Sequence, residues 1–259
     1  MKAVIFAGGL GTRMREETEH RPKPMVEIGG YPVLLHLMDI YAAQGVTDFV
    51  ILAGYKAGMI KDYFANLSLN TSDIVFIGGE AGKAVSLASS DLRSTWTITI
   101  LDTGVETLTG ERLLRAKEQV GSERFFATYG DGLAPVNLAN LLRTHQKQGL
   151  AATMTITQPQ NRFGVVEVDQ SGLVESFLEK PKMSDWTNMG FFCFESSIFG
   201  SIENGESLEE GLLKRLARDG QLASFKHEGF WQPMDTYREL LLMNELWETG
   251  DAPWTEKPE

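Results

Sequence analysis

KAVIFAGGLGTR, residues 2–13, decides how the rest of the 259-residue chain is read. Its first six residues are almost unbroken apolar, the mark of a strand covered on both faces in a parallel sheet. Gly8, Gly9 and Gly11 follow at once. Glycines at a strand's end allow positive φ and present backbone amides with no Cβ in front of them. In an open parallel sheet, ligands sit beyond the carboxyl ends of the strands, so this turn is a candidate anion cradle. Taken alone, the same glycines suit a tight strand-to-helix turn with no ligand equally well. Two familiar phosphate turns are excluded. A P-loop ends Gly-Lys-Ser/Thr, where this turn ends Gly11-Thr12-Arg13; a dinucleotide turn ends on Gly or Ala, where this one has Met14.

Outward from that turn, PVLLHLMDIYAAQG (32–45) predicts an amphipathic helix with Pro32 at its start and Gly45 past its end. DFVILA (48–53) predicts a second buried strand, KAGMIKDYFANL (56–67) a helix, and DIVFI (73–77) and TWTITILD (95–102) further strands. ERLLRAKEQV (111–120) reads as helix, RFFATYGD (124–131) as strand and LANLLRTHQKQG (138–149) as helix. This alternation predicts an α/β class with a doubly wound, mostly parallel, Rossmann-like sheet. After residue 150 the pattern turns to strands and hairpins: AATMTIT, GVVEVD, the turn DQSG, LVESFLEK and NMGFFCF. Two helices follow, SLEEGLLKRLARDG (207–220) and TYRELLLMNELWETG (236–250). No linker or repeat divides the chain. The expectation is one domain, with residues 1–150 as a nucleotide-binding core and 151–259 as a small β-rich lobe, packed on the first sheet, plus C-terminal helices.

The net charge of −11, from 24 basic and 35 acidic residues, argues against a nucleic-acid surface, which needs a broad basic field. A small polyanion could bind only at a local cluster, which gives Arg13 and Lys23 weight beyond their number. No apolar run approaches the roughly eighteen residues of a membrane span. Cys193 is the single cysteine, which excludes an internal disulfide and fits a reducing cytoplasm. His20, His36, His145 and His227 show no metal-ligand spacing.

GGLGTR (8–13) followed by PKP (22–24) resembles the signature of the sugar-1-phosphate nucleotidylyltransferases. KPMVEIGG (23–30), VILAGYK (50–56), LDTG (101–104), TGERL (109–113), TYGDG (128–132), FLEKP (177–181) and GFWQPMDT (229–236) carry the likeness along the whole chain. In that order they are similar to the glucose-1-phosphate cytidylyltransferases. The resemblance implies a GT-A-like nucleotidyltransferase fold whose lobe binds sugar. It implies attack by a glucose 1-phosphate oxygen on the α-phosphorus of CTP, releasing pyrophosphate and forming CDP-glucose. The attacking phosphate is already anionic, so no general base is needed and catalysis reduces to alignment and charge stabilisation. The resemblance further implies Mg²⁺ as cofactor and a homo-oligomer.

Residue by residue, the resemblance implies catalytic roles for Arg13, on the triphosphate, and Lys23, near the α-phosphate and the incoming phosphate. Pro22 and Pro24 flank Lys23 and stiffen its backbone. Nucleotide binding falls to Ala7, Gly8, Gly9, Leu10, Gly11 and Thr12 with Arg13 and Lys23, to Thr109, Gly110 and Arg112, and to Asp131. Asp131 and Asp235 are the implied Mg²⁺ ligands, since hard oxygen donors suit that ion. Read singly, Asp131 is a turn residue and Asp235 a helix N-cap. The sugar phosphate is assigned Tyr129, Gly130, Gly164, Glu179, Lys180 and Asn188. Two departures from the family pattern stand out: Met189 and Glu111 each replace a glycine. Met189 narrows the expected sugar pocket. Glu111 is expected to point outward from the first turn of a helix, where acids are favourable, rather than inward to the base. Other readings are the same chemistry with dTTP or UTP, a regulatory paralogue that binds without turnover, or a metal-dependent glycosyltransferase. The joint presence of Arg13, Lys23, Asp131 and Asp235 weighs against the second. Gly132-Leu133 after Asp131 leaves no Asp-x-Asp for the third.

Overall fold

The computed structural model describes residues 1–67, 74–77, 83–86 and 92–255. Asp73, the first residue of the strand read over 73–77, lies outside them. The central sheet has seven strands: β1 Lys2–Ala7, β2 Asp48–Ala53, β3 Thr97–Asp102, β4 Phe125–Tyr129, β5 Ala152–Thr157, β6 Thr187–Phe194 and β7 Leu222–Lys226. Their spatial order is β3-β2-β1-β4-β6-β5-β7. β1 pairs in parallel with β2 and β4, β2 with β3, and β5 with β7. Only β6 runs the other way, antiparallel to both β4 and β5.

The apolar runs are unbroken because both faces of the sheet are covered. The pleat sends alternate residues to opposite sides. Ala3, Ile5 and Ala7 join one core, as do Phe49, Ile51 and Ala53; Val4, Phe6, Val50 and Leu52 join the other. β6 divides in the same way, with Phe191 and Cys193 on one side and Phe192 and Phe194 on the other. That two-sided burial explains a difference from the sequence reading. The strands after residue 150 do not form a separate layer on the first sheet but extend it edge to edge. The ribbon Val165–Val168 with Val174–Leu178 stands off from the sheet, and its strands are largely exposed.

The helices that position the site are α1 Val33–Ala42, α2 Ala57–Ala65, α3 Thr109–Arg115, α4 Leu138–Gln148 and α5 Tyr237–Glu248. The helix read over 111–120 is split at Ala116 into α3 and a short turn, Lys117–Val120. The helix read over 207–220 begins as a π-helical turn, Leu208–Leu213, before becoming α-helical over Lys214–Arg218.

Candidate active site

A cleft of about 820 Å³ opens at the carboxyl ends of β1 and β4. β1 has β2 on one side and β4 on the other, so the chain reverses its direction of winding between β1 and β4. Such switch points are where open α/β sheets bind ligands. Ala7 to Arg13 form one wall, Val105 to Thr109 face them, and Gly130 to Gly132 form the floor.

Four charged residues meet there. Lys23 opens a 3-10 turn directly after Pro22 and is 9% exposed. Its Nζ donates to Asp131 Oδ2 at 2.6 Å and to Asp235 Oδ1 at 2.7 Å. Arg13, with its side chain 77% exposed, donates to Asp235 Oδ2 at 3.1 Å. A two-residue ribbon joins the aspartates: Gly132–Leu133 pairs antiparallel with Gln232–Pro233, and the Met234 amide donates to the Asp131 carbonyl at 2.8 Å. Asp235 is not the helix cap. Thr236 caps α5 in a capping box with Glu239, whose Oε2 also accepts from the Asp235 amide at 2.7 Å. The Asp235 carboxylate is thereby left to Arg13 and Lys23.

Burial alone lowers the pKa of the Lys23 ammonium, but Asp131 and then Asp235 outweigh it, and the net shift is upward from 10.5. Burial pushes Asp235 up, yet Lys23, Arg13 and Arg162 together bring it below 3.8. A raised lysine contributes stability that is lost only as pH rises through its folded value; a lowered carboxylate contributes stability lost only as pH falls through its own. Lys23 and Asp235 therefore keep their charges between about pH 4 and about pH 10. Two carboxylates converging on one cation are the hard-oxygen pair that magnesium takes. Among the described residues no third His, Cys, Asp or Glu joins them. The pair fits an ion shared with phosphate oxygens and water, not one caged by protein.

Each glycine of the opening turn has its own reason. A Cβ on Gly8 would overlap the Arg112 guanidinium, and Gly11 has φ +62°. Gly9 is exposed and faces open space, so nothing in the protein itself excludes a side chain there. Arg112 is 4% exposed, and it acts as a clamp. Its Nη1 donates to Thr103 Oγ1 at 2.5 Å and the Gly104 carbonyl at 2.7 Å; its Nη2 donates to the carbonyls of Gly8 and Val105, each at 3.0 Å. These bonds tie the glycine turn to the facing wall. Arg112 thus lines the cleft with its terminal nitrogens already engaged by the protein. Arg112→Ala takes the side-chain donor from the part-buried Gly104 and Val105 carbonyls, while the Gly8 carbonyl keeps the Tyr55 amide. The expected loss is on the order of 3 kcal/mol, a fall in Tm of roughly 6–12 °C by differential scanning calorimetry.

Thr109 Oγ1 donates to Glu209 Oε2 at 2.7 Å and accepts from the Leu208 amide at 2.8 Å. A Cβ on Gly110 would lie 2.8 Å from the Glu206 carbonyl, so this glycine serves close packing. Glu111 pairs with Arg115 at 2.5 Å and does not line the cleft, the outward orientation. Tyr129, Gly130 and Asn188 line the cleft; Asn188 Oδ1 also accepts from the Gly190 amide at 2.8 Å. Met189 touches the cleft but is 3% exposed and packs in the core. Gly164, Glu179 and Lys180 do not line the cleft. They sit on the exposed ribbon, where a Cβ on Gly164 would lie 2.7 Å from the Phe177 ring and 3.1 Å from Glu179 Oε2. Lys180 has φ +47°, a backbone that non-glycine residues rarely adopt. Arg162, at the base of that ribbon, donates to Glu239 Oε1 at 2.8 Å and so ties it to the Asp235 loop. Glu209 and Trp231 also line the cleft, while Phe230 packs against Trp254. Sequence reasoning did not single out Glu209.

Residues 2–248 match the family described as Nucleotidyl transferase. A protein of Salmonella typhi named glucose-1-phosphate cytidylyltransferase is 46% identical over 257 residues, 98% of each chain. A protein of the same name from Salmonella typhimurium is equally similar. The solved structure of UDP-glucose pyrophosphorylase complexed with UDP-glucose superposes with TM-score 0.69 at 16% identity, covering 96% of this chain and 99% of that one, a likeness of fold alone. A glycine turn, a buried lysine between two aspartates and a match over nearly its whole length agree: the chain belongs to the nucleotidyl transferase family.

Proposed function

We propose that this chain transfers a cytidylyl group from CTP to α-D-glucose 1-phosphate, giving CDP-glucose and pyrophosphate. The observation that carries the reading is Lys23, held between Asp131 and Asp235 beside the glycine turn. The two 46%-identical relatives narrow it to cytidylyl transfer to glucose 1-phosphate. One oxygen of the sugar phosphate attacks the α-phosphorus, the new P–O bond forms in line, and the bond to the β-phosphate breaks as pyrophosphate leaves. No proton has to be moved. Lys23 supplies positive charge where the α-phosphoryl oxygens gather charge, and Arg13, exposed at the mouth, reaches the triphosphate. The amides from Gly8 to Gly11 cradle phosphate, and Gly9, open on its outer side, lets the ligand approach the backbone. Asp131 and Asp235 would hold Mg²⁺, whose chemistry when bound is to neutralise phosphate oxygens.

Gly164, Glu179 and Lys180 on the ribbon, with Asn188 in the cleft, are assigned the sugar phosphate. Phe163 and Phe177 on that ribbon are 75% and 63% exposed, which supports self-association into a homo-oligomer. We place the reaction in the cytoplasm on the ground of the single cysteine, Cys193. A panel of nucleotides against sugar phosphates, read as pyrophosphate release, tests the reading. CTP is expected to exceed UTP and dTTP in kcat/KM by at least about 10²-fold. Equal rates with dTTP overturn the cytidylyl assignment.

A further inference from the structure

Glu209 is a carboxylate in a cleft made for phosphates, and its environment differs from that of the two aspartates. No cation lies within ion-pair distance of it among the described residues, because Lys23 and Arg13 face the aspartates and Arg112 faces carbonyls. Three neutral hydroxyls hold it instead. The Tyr129 phenol donates to Oε1, Thr109 Oγ1 to Oε2 at 2.7 Å, and Ser207 Oγ to Oε2 at 3.1 Å. Two of these hydroxyls are themselves fixed. Thr109 Oγ1 accepts from the Leu208 amide, and Ser207 Oγ accepts from the Glu210 amide at 2.9 Å. Burial, and then the Glu209 carboxylate, raise the Tyr129 phenol far above its ordinary range, so it remains a donor. A carboxylate offers about four acceptor positions. Oε2 has both of its positions filled, and Oε1 keeps one.

The cleft that Glu209 lines also carries apolar surface that suits a flat ring. Leu10, Val105 and Leu108 are 48–49% exposed, and all three line the same cleft. Leu10 belongs to the glycine turn, while Val105 and Leu108 belong to the segment leading into Thr109. A heterocycle lying among them shares the cleft with Glu209, which is bonded to Thr109 directly after Leu108. An anionic acceptor repels a carbonyl oxygen and attracts an N–H. Cytosine carries an amine at the position where uracil and thymine carry a carbonyl, while N3 differs in the opposite sense, so an acceptor favours cytosine only at the exocyclic amine. Hydroxyls of ribose or glucose can donate or accept, so a carboxylate gains no comparable selectivity from them.

We infer that Glu209 reads the base, its Oε1 accepting a hydrogen bond from the exocyclic amine of cytosine while the hydroxyls of Tyr129, Thr109 and Ser207 hold the carboxylate still. The inference rests on the cytidylyl reading above. Glu209→Gln is nearly isosteric, and its amide can turn a donor toward a carbonyl. Pyrophosphate release with glucose 1-phosphate is measured for CTP, UTP and dCTP, with wild type and Glu209→Gln side by side. The CTP-to-UTP ratio of kcat/KM is expected to fall by about 10-fold or more in the variant, with the CTP-to-dCTP ratio unchanged. A second measurement needs no variant. On the wild type, a CTP analogue with hydrogen in place of the exocyclic amine is expected to lose at least about 10-fold in kcat/KM. Three results overturn the inference: a CTP-to-UTP ratio within twofold of wild type, a change confined to the dCTP ratio, or an analogue used as well as CTP. A wild type with no preference for CTP instead fails the cytidylyl reading itself, so the two failures are distinguishable.

Discussion

Asp131→Asn and Asp235→Asn are each expected to reduce turnover by about 10²-fold or more, and the double variant to be little worse than either single one. Asparagine keeps the shape and removes the charge, so the change isolates electrostatics. Both carboxylates bind one ammonium, at 2.6 and 2.7 Å, and would hold one metal ion, so losing either disables the shared unit. The fold is expected to survive. The ribbon that joins these residues uses backbone groups, the Met234 amide on the Asp131 carbonyl and the pairing of Gly132–Leu133 with Gln232–Pro233. Unchanged circular dichroism beside lost pyrophosphate release is the expected pattern. EDTA should stop the wild type and added Mg²⁺ restore it. Strictly additive losses would separate the two aspartates into independent roles, and full activity in metal-free buffer would overturn the metal assignment.

The core strands were legible because burial on both faces leaves no room for polar residues. KAVIFA and DFVILA coincide with β1 and β2. The role of β6 was not legible, because an antiparallel strand inserted between parallel neighbours has the same apolar run that a strand of a separate layer would have. The aspartate cluster is legible through motif context, whereas the N-cap reading open to Asp235 taken singly does not hold. Thr236 and Glu239 form a Thr-x-x-Glu capping box, a signal present in the sequence that already assigned the cap to the next residue. Arg112 reads as an ordinary helical arginine; yet a Cβ on Gly8 would overlap its guanidinium, and one on Gly54 would overlap the guanidinium and the carbonyls of Gly104 and Gly8. Glu209 and Glu210 stand together in the first turn after Ser207, where the helix dipole favours either acid. The π-helical turn leaves Glu209 in the cleft and Glu210 outside, paired with Lys214. That phase is set by packing against α3, and no periodicity in the sequence reveals it.

Lys23→Ala is expected to lower kcat by about 10²-fold or more while weakening CTP binding far less. The triphosphate keeps Arg13 and the amides of the glycine turn, which act equally in the ground and transition states. Lys23 differs from them in being 9% exposed and set by Pro22 against the two aspartates. A preorganised ammonium in a partly dry site stabilises charge that develops during transfer without having to reorient. Its removal has a second consequence, independent of turnover. Asp131 and Asp235 lose the ammonium that bonds both of them in the free protein and are left as two like charges, with Arg13 and Arg162 acting on Asp235. Divalent cations should then bind the variant more tightly than the wild type when no nucleotide is present, because no ammonium competes for the same oxygens. Mn²⁺ titration followed by electron paramagnetic resonance measures this directly. Slower turnover together with tighter Mn²⁺ binding is the expected pair of results. Near-normal kcat would remove Lys23 from catalysis, and unchanged Mn²⁺ affinity would mean that the lysine and the metal do not share a seat.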